Sequence, residues 1–310
     1  MPGIFFRSKI LLTKIETVYG TDPVPTGAAN ALQVIDIKIM PMEGQDQSRD
    51  LDQAFLAAEP TIPVGLHQKI SFKVEMQTGG ALGVAPAWGP LMRACGCAQV
   101  IVATTSVTYS PVSAAMESVT MYLSIGGTLY KISGARGTVK MTVNSQNVPY
   151  LEFEFTGLFS TPTEAARPTP VYSQAKPLAA SKTNTPVFTL NGLSLVMGKF
   201  SFDLGCQVEP RLWINTESIM LVDRSEMIEV TVEAEPLSTI NPFALSVAQT
   251  NVPVVLQHGV AAGFRTTVNV PLAQLQRLTA IENSQSIKEW PLKLVPQPNV
   301  GNDQFTIVLT

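Results

Sequence analysis

The sequence predicts a mainly β protein made of two tandem bodies, each with a short helix and long inter-strand loops. Three observations carry that expectation. Apolar and polar residues alternate over many short stretches, as in Phe72-Lys73-Val74-Glu75-Met76, which is the period of a strand with one solvated face. Glycine, proline and asparagine break these stretches at short intervals. Only one segment has clear helical spacing: between Pro86 and Cys97, residues Trp88, Leu91, Met92 and Cys95 recur every three or four positions, one apolar face of a helix. Trp88 is therefore read as core.

Bulk properties narrow the function classes. Of the 310 residues, 15% are charged and 45% apolar, against roughly a quarter charged in ordinary soluble domains, so partners are expected to cover much of the surface. A net charge of −3 gives no strong field to attract nucleic acid or an anionic membrane. No apolar run approaches the roughly 18 residues of a membrane span, and Met1 to Leu12 lacks a signal peptide's apolar core and cleavage site. A chain made and kept in a cytoplasm, without a membrane anchor, is expected. Cys95, Cys97 and Cys206 are an odd number and suggest no disulfide framework. A zinc site at Cys95-Gly96-Cys97 would need further ligands and a wider spacing, so buried reduced thiols are expected, as are His67 and His258 as ordinary strand residues. No metal or cofactor site is read.

Taken in order, residues 1–30 hold a short apolar run and then Tyr19-Gly20-Thr21-Asp22-Pro23 and Pro25-Thr26-Gly27, dense in turn formers. They read as an extended arm that needs another surface, such as a neighbouring subunit's, to be stable. A first body spans 31–160 and opens with a strand over Ala31–Met40. Pro41 to Pro63 carries acidic residues with glycine and prolines and reads as a long loop, of the kind that is usually functional or disordered. Its DLDQAFLAAE segment is either a docked helical turn or two, or a solvated excursion. Strand Ser71–Met76 and the helix follow, then β-branched residues from Val100. Glu117 to Gly157 reads as a meander of about four strands, with turns at Gly126-Gly127, Gly134 to Gly137 and Asn144 to Pro149. Residues 161–186 have no periodicity and many prolines, as an extended linker would. A second body spans 187–310.

The order of elements repeats. LQVIDIKI corresponds to LSLVMGKFSF, the acidic excursion 41–63 to Glu209–Asp223, and ISFKVEMQ to MIEVTVEAE; each body closes on an alternating strand, YLEFEF and DQFTIVL. This is the order expected of an internal duplication.

IETVYGTDPVPTGAANALQV together with VEMQTGGALGVAPAWGPLMRACGCA resembles the major tail tube proteins of long-tailed (siphovirus-type) bacteriophages. The resemblance covers about the first 110 residues through these motifs and the second body through element order alone. It implies β-sandwich or barrel-like tube domains that form rings, inner sheets joined into one barrel, and rings stacked into a conduit for the genome. Rings of six tube domains would then be trimers of this chain with pseudo-hexameric symmetry. Implied partners are other copies of the chain, the tape measure protein and DNA in the lumen, and the tail terminator and distal tail proteins; the implied location is the virion tail, assembled in the host bacterial cytoplasm. On this reading Glu43, Asp46, Asp50, Leu51, Asp52, Phe55 and Leu56 belong to a ring-stacking loop, with Leu51, Phe55 and Leu56 as anchors. A basic bore would hold DNA through its phosphates, so Glu152, Glu154, Glu229, Glu233 and Glu235, on polar strand faces, are candidates either for the lumen or for an ordinary outer surface.

No phosphate loop, nucleophile elbow or zinc-protease helix is present, and Gly79-Gly80-Ala81-Leu82-Gly83 lacks the spacing of a dinucleotide turn. The chain is not read as an enzyme. The competing reading is a β-rich adhesion or carbohydrate-binding tail module, which would need an exposed aromatic platform; Trp88, Trp213 and Trp290 are scattered in the sequence.

Overall fold

A computed structural model describes residues 5–310, so the first four residues of the expected arm lie outside the described residues. Strand makes up 51% of the chain and helix 5%, in three short helices, as the alternation predicts.

The first half begins with β1 (Lys9–Ile15), α1 (Gly27–Asn30) and β2 (Ala31–Leu32). β1 corrects the expected free arm. Ile10, Leu11 and Leu12 are all buried because β1 pairs along its whole length with β7 (Val119–Ile125) and briefly with β2. The arm is stabilised by its own body. β3 (Ile35–Ser48) and β4 (Thr61–Glu75) form a hairpin whose far part corrects the expected loop: Gln45 pairs with Val64, and Ser48 with Thr61. Only residues 49–60 are irregular, and no helical turn forms there.

α2 (Gly89–Ala94) lies inside the segment that helical spacing marks out. The Trp88 indole donates to the Gln77 carbonyl at 2.7 Å and its ring packs on Tyr109 at 5.3 Å. Trp88 is 1% exposed, so it is core as expected. β5 (Cys97–Val102) and β6 (Ser106–Pro111) form the next hairpin, followed by β7, β8 (Thr128–Asn144), β9 (Tyr150–Leu158) and β10 (Thr163–Glu164). The expected four-strand meander is three strands, because Gly134 to Gly137 is a bend within β8 and not a turn. Gly134 has φ +59 with the Tyr19 hydroxyl 2.8 Å from where a Cβ would sit, a place only glycine fills without strain.

The linker 161–186 is irregular apart from β10, which pairs with β8, and it is held to the first half: the Ala165 and Val171 amides donate to Gly127 and Gly27 carbonyls, and Ala180 exchanges bonds with Asn147 and Gln146. The second half holds β11 (Val187–Leu190), β12 (Leu193–Ser194), β13 (Met197–Asp203), β14 (Cys206–Trp213), β15 (Thr216–Arg224), β16 (Met227–Glu233), α3 (Pro242–Val247), β17 (Asn251–His258), β18 (Thr266–Leu275), β19 (Glu282–Ser284), β20 (Ile287–Pro296) and β21 (Thr306–Leu309).

The two halves share a pairing diagram. β1 pairs with β2 and β7; β11 pairs with β12 and β17. The order β3-β4-β9-β8 in the first half recurs as β13-β16-β20-β18 in the second. Details recur too. Ala135 of β8 faces Val119, next to a register shift, and Ala273 of β18 faces Val252, next to another. Met76 donates to the Pro149 carbonyl and Ala234 to that of Lys288, both at 2.9 Å.

The halves are joined at two seams. β8 pairs with β13 and β6 with β21, so residues 97–111 join the sheet of the second half. One apolar cluster runs from Leu11 to Leu309.

Candidate functional site

The β8–β13 seam makes one sheet out of β3-β4-β9-β8 and β13-β16-β20. Strict alternation gives this sheet two unlike faces. Ile70, Phe72, Val74, Phe153, Phe155, Phe200, Phe202, Val230 and Leu292 point into the core and are each 2% exposed or less. Their neighbours in sequence point the other way and form a polar face that crosses the seam without interruption.

Lysines and carboxylates interleave on that face. Lys38, Lys69, Lys73, Lys140, Lys199 and Lys293 alternate with Asp36, Glu75, Glu152, Glu154, Asp203, Glu229, Glu233 and Glu289 on the partly or fully exposed positions of these strands, so the charges nearly cancel. Lys73 meets Glu152 and Lys293 meets Glu229, each at 2.7 Å. The bond from Glu152 raises the Lys73 pKa above its ordinary value, and the bond from Lys293 lowers that of Glu229. Two open grooves lie on the face, of about 590 and 400 Å³, on either side of the seam; Lys140 lines both.

Of the candidate lumen residues, Glu152, Glu154, Glu229 and Glu233 sit together on this face. Glu235 does not: it lies past the end of β16, where alternation has stopped. The same alternation that places Lys73 on a solvated face places the other lysines beside these glutamates. Of the stacking residues, Glu43 and Asp46 are on β3, facing His67 and Pro63, while Asp50, Leu51, Asp52, Phe55 and Leu56 are on the exposed hairpin tip. Phe55 is 72% exposed and Leu56 fully so.

The ends of the sheet are open. Among the described residues β3 pairs with β4 alone, and its outer edge has no strand partner; Ile35 and Met40 are exposed, and the Lys9 ammonium donates to the Ile37 carbonyl at 3.0 Å. At the opposite end, β18 continues into Gln276–Ser284, which bonds to β20 on one side only and leaves Ile281 60% exposed. The sequence had no signal for this, since a free edge and a paired edge carry the same alternation.

The two β-ribbons differ in setting. β14 and β15 pair only with each other and fold over the first half. The Tyr19 hydroxyl accepts from the Ile219 amide at 2.6 Å, Arg136 donates to the Ile219 carbonyl, and Arg224 donates to the Gly96 carbonyl at 3.0 Å. Arg224 and Glu226 form a buried ion pair at 2.8 Å. Cys206, at the ribbon's base, lies 3.5 Å from the Cys95 carbonyl. All three cysteines are buried and free, and burial pushes the Cys97 and Cys206 thiols up to about 12, far from the thiolate that metal binding or nucleophilic chemistry needs. His67 lies on β4, and His258 is buried at the end of β17.

No protein-family model matches the chain, and no curated protein matches it significantly.

Proposed function

We propose that this chain is a structural subunit that pairs head to tail with copies of itself into closed rings, which stack into a hollow tube like the tail tube of a long-tailed bacteriophage. The observation that carries the reading is the β8–β13 seam. Inside the chain, the outer edge of β8 is completed by β13. By the repeated pairing diagram, the counterpart of that edge is Gln276–Ser284 and the counterpart of β13 is β3, and both are open. Joining them between copies is a heterologous contact, which makes a ring when its rotation closes and removes edges that would otherwise template uncontrolled pairing.

The seam also supplies a register. Ser201 faces Thr142 within the chain; tracing their counterparts through β16 and β20 sets Lys38 of one copy opposite Glu282 of the next, an oppositely charged pair. Three copies would carry six half-chains and line the bore with the interleaved polar face. A near-neutral wall lets DNA slide, because few phosphates are neutralised. DNA and the tape measure protein in the lumen, and the terminator and distal tail proteins at the ends, follow from the family resemblance, as does the virion tail as location. The ribbon tip 49–60 is the part long enough to reach a neighbouring ring. Neither a catalytic activity nor a cofactor belongs to this reading.

The adhesion alternative calls for an exposed aromatic platform; Trp88 and Trp290 are 1% exposed, and Trp213, 64% exposed, carries the Arg211 guanidinium 3.9 Å from its ring centre.

Mass photometry with negative-stain microscopy tests the reading. Rings of three 33.4 kDa chains, about 100 kDa, and tubes built from them are expected. Lys38→Glu should abolish them, and adding Glu282→Lys should restore them. A protein that stays monomeric under every condition, or a tube whose bore is net positive, would overturn it. Deleting residues 45–58 should leave rings that do not form long tubes.

A further inference from the structure

The ribbon that covers the first half has a counterpart with nothing to cover. β14–β15 leaves the end of β13 and closes over the C-terminal end of α2: Cys95 is 0% exposed with the Cys206 thiol 3.5 Å from its carbonyl, Leu221 lies against Gly96, and Arg224 caps the Gly96 carbonyl. In the second half the equivalent helix is α3. Both helices carry a proline in their first turn, Pro90 as the second residue of α2 and Pro242 as the first of α3, and Leu245 of α3 packs on the core at the position of Met92 in α2. Yet Phe243 is 42% and Val247 86% exposed, and among α3's described residues only Pro242 is buried.

The ribbon equivalent to β14–β15 is the outer part of β3–β4, which leaves the end of the β3 segment corresponding to β13. It stands free, with Met42, Ile62 and Val64 each more than 40% exposed. Within one chain it does not reach α3 in the way β14–β15 reaches the end of α2, because that contact runs across a seam and, among the described residues, β3 pairs with β4 alone.

We infer that the base of the β3–β4 ribbon, through Met42, Ile62 and Val64, docks on Phe243 and Val247 of α3 in the adjacent copy of the same ring. This rests on the ring reading and extends it. A second copy is the occupant because the contact continues the β3 to Gln276–Ser284 seam, as the β14–β15 contact continues the β8–β13 seam. Two exposed apolar patches are covered at once, which is what the exposure of each calls for. The division of labour follows: the paired part of the ribbon, up to Ser48 and Thr61, holds neighbours within a ring, and the additional tip 49–60, which β14–β15 lacks, is left for the next ring.

Cysteine pairs joined by a short bismaleimide test this on isolated single rings of the full chain; the native thiols are buried and do not compete. Met42→Cys with Val247→Cys should give linked dimers and closed trimers, as should the seam control Lys38→Cys with Glu282→Cys. Linkage by the control alone, or linkage of the test pair only between stacked rings, would overturn the inference. Failure of both pairs would overturn the ring reading, and the inference with it. As a second measurement, Val247→Asp, at a residue 86% exposed, should leave the monomer's melting temperature nearly unchanged and raise the concentration needed for rings by about tenfold or more, the loss of roughly one apolar contact. Unchanged assembly would overturn the inference.

Discussion

The two ribbons are built alike and live differently. β14–β15 exposes Trp213 and Ile214 at its tip and Val222 on β15, but it buries Ile219 completely and closes its base over the end of α2. By contrast, β3–β4 keeps Met40, Met42 and Ile62 more than half exposed, and α3 exposes Val247. The same plan, used twice in one chain, has satisfied one set of contacts internally and left the other set open. Burial of apolar residues supplies most of the stabilisation in folding and association alike, so the closed set is where the monomer should be sensitive to substitution and the open set is where the assembly should be.

The strongest way to break the comparison is at the Arg224–Glu226 pair. Both side chains are 10% exposed or less, and removing one partner of a buried pair typically costs about 3–5 kcal/mol because the other is left charged and alone. Glu226→Ala should lower the unfolding free energy by that order, read from the denaturant midpoint and slope, and raise hydrogen exchange in β14–β15 and the end of α2 together. Glu43→Ala, at the base of the open ribbon, should fall within about 0.5 kcal/mol, as surface changes do. Equal effects would mean that the two ribbons do not differ as described.

The helices sharpen the contrast. Leu91→Ala removes a fully buried side chain from α2 and should cost about 2–5 kcal/mol. Phe243→Ala in α3 should cost the isolated monomer much less, since close to half of the side chain is already in water. Thermal or chemical denaturation of dilute monomer measures both.

What could be read from the sequence follows the same division. Strands with one wet face, such as Phe72-Lys73-Val74 and Leu151 to Phe155, announced themselves because burial on one side imposes alternation. The outer part of β3–β4 did not: Glu43 to Ser48 is mostly exposed, so nothing selects a period and the segment read as a loop. β1 failed for the opposite reason, since Ile10, Leu11 and Leu12 are all buried and a continuous apolar run resembles an arm's anchor. The glycines of β8 were ambiguous in kind: Gly134 makes room for Tyr19 and Gly137 lies against Phe155, and close approach leaves the same letter in the sequence as a turn. The polar face was legible residue by residue. Its continuity across the seam was not, because pairing between β8 and β13 links segments more than fifty residues apart and leaves no local pattern.

The smallest expected effect concerns the place where the halves are strapped together. His258 closes β17 at the position that Ile125 holds on β7 in the first half, so the same corner carries a titrating group in one half and an inert one in the other. Its Nδ1 is 2.9 Å from the Thr185 hydroxyl, its ring also bonds the Leu178 backbone, and the next residue's amide donates to the Asn184 carbonyl; all three partners lie on the linker. Burial lowers the His258 pKa below its ordinary 6.5 by disfavouring the imidazolium, which outweighs the bond to Leu178. The unfolded chain therefore takes up the proton first as pH falls. The neutral ring's full contribution is present above the ordinary value, and stability declines as pH drops below it toward the depressed folded value. His258→Gln should flatten that part of the stability curve, measured by urea midpoints from pH 7.5 down to 5, while leaving the midpoint at pH 7.5 nearly as it was. Local opening should appear as faster exchange in residues 178–185 with β7 and β8 unaffected. An unchanged slope in the variant would show that the strap is not held by the neutral imidazole.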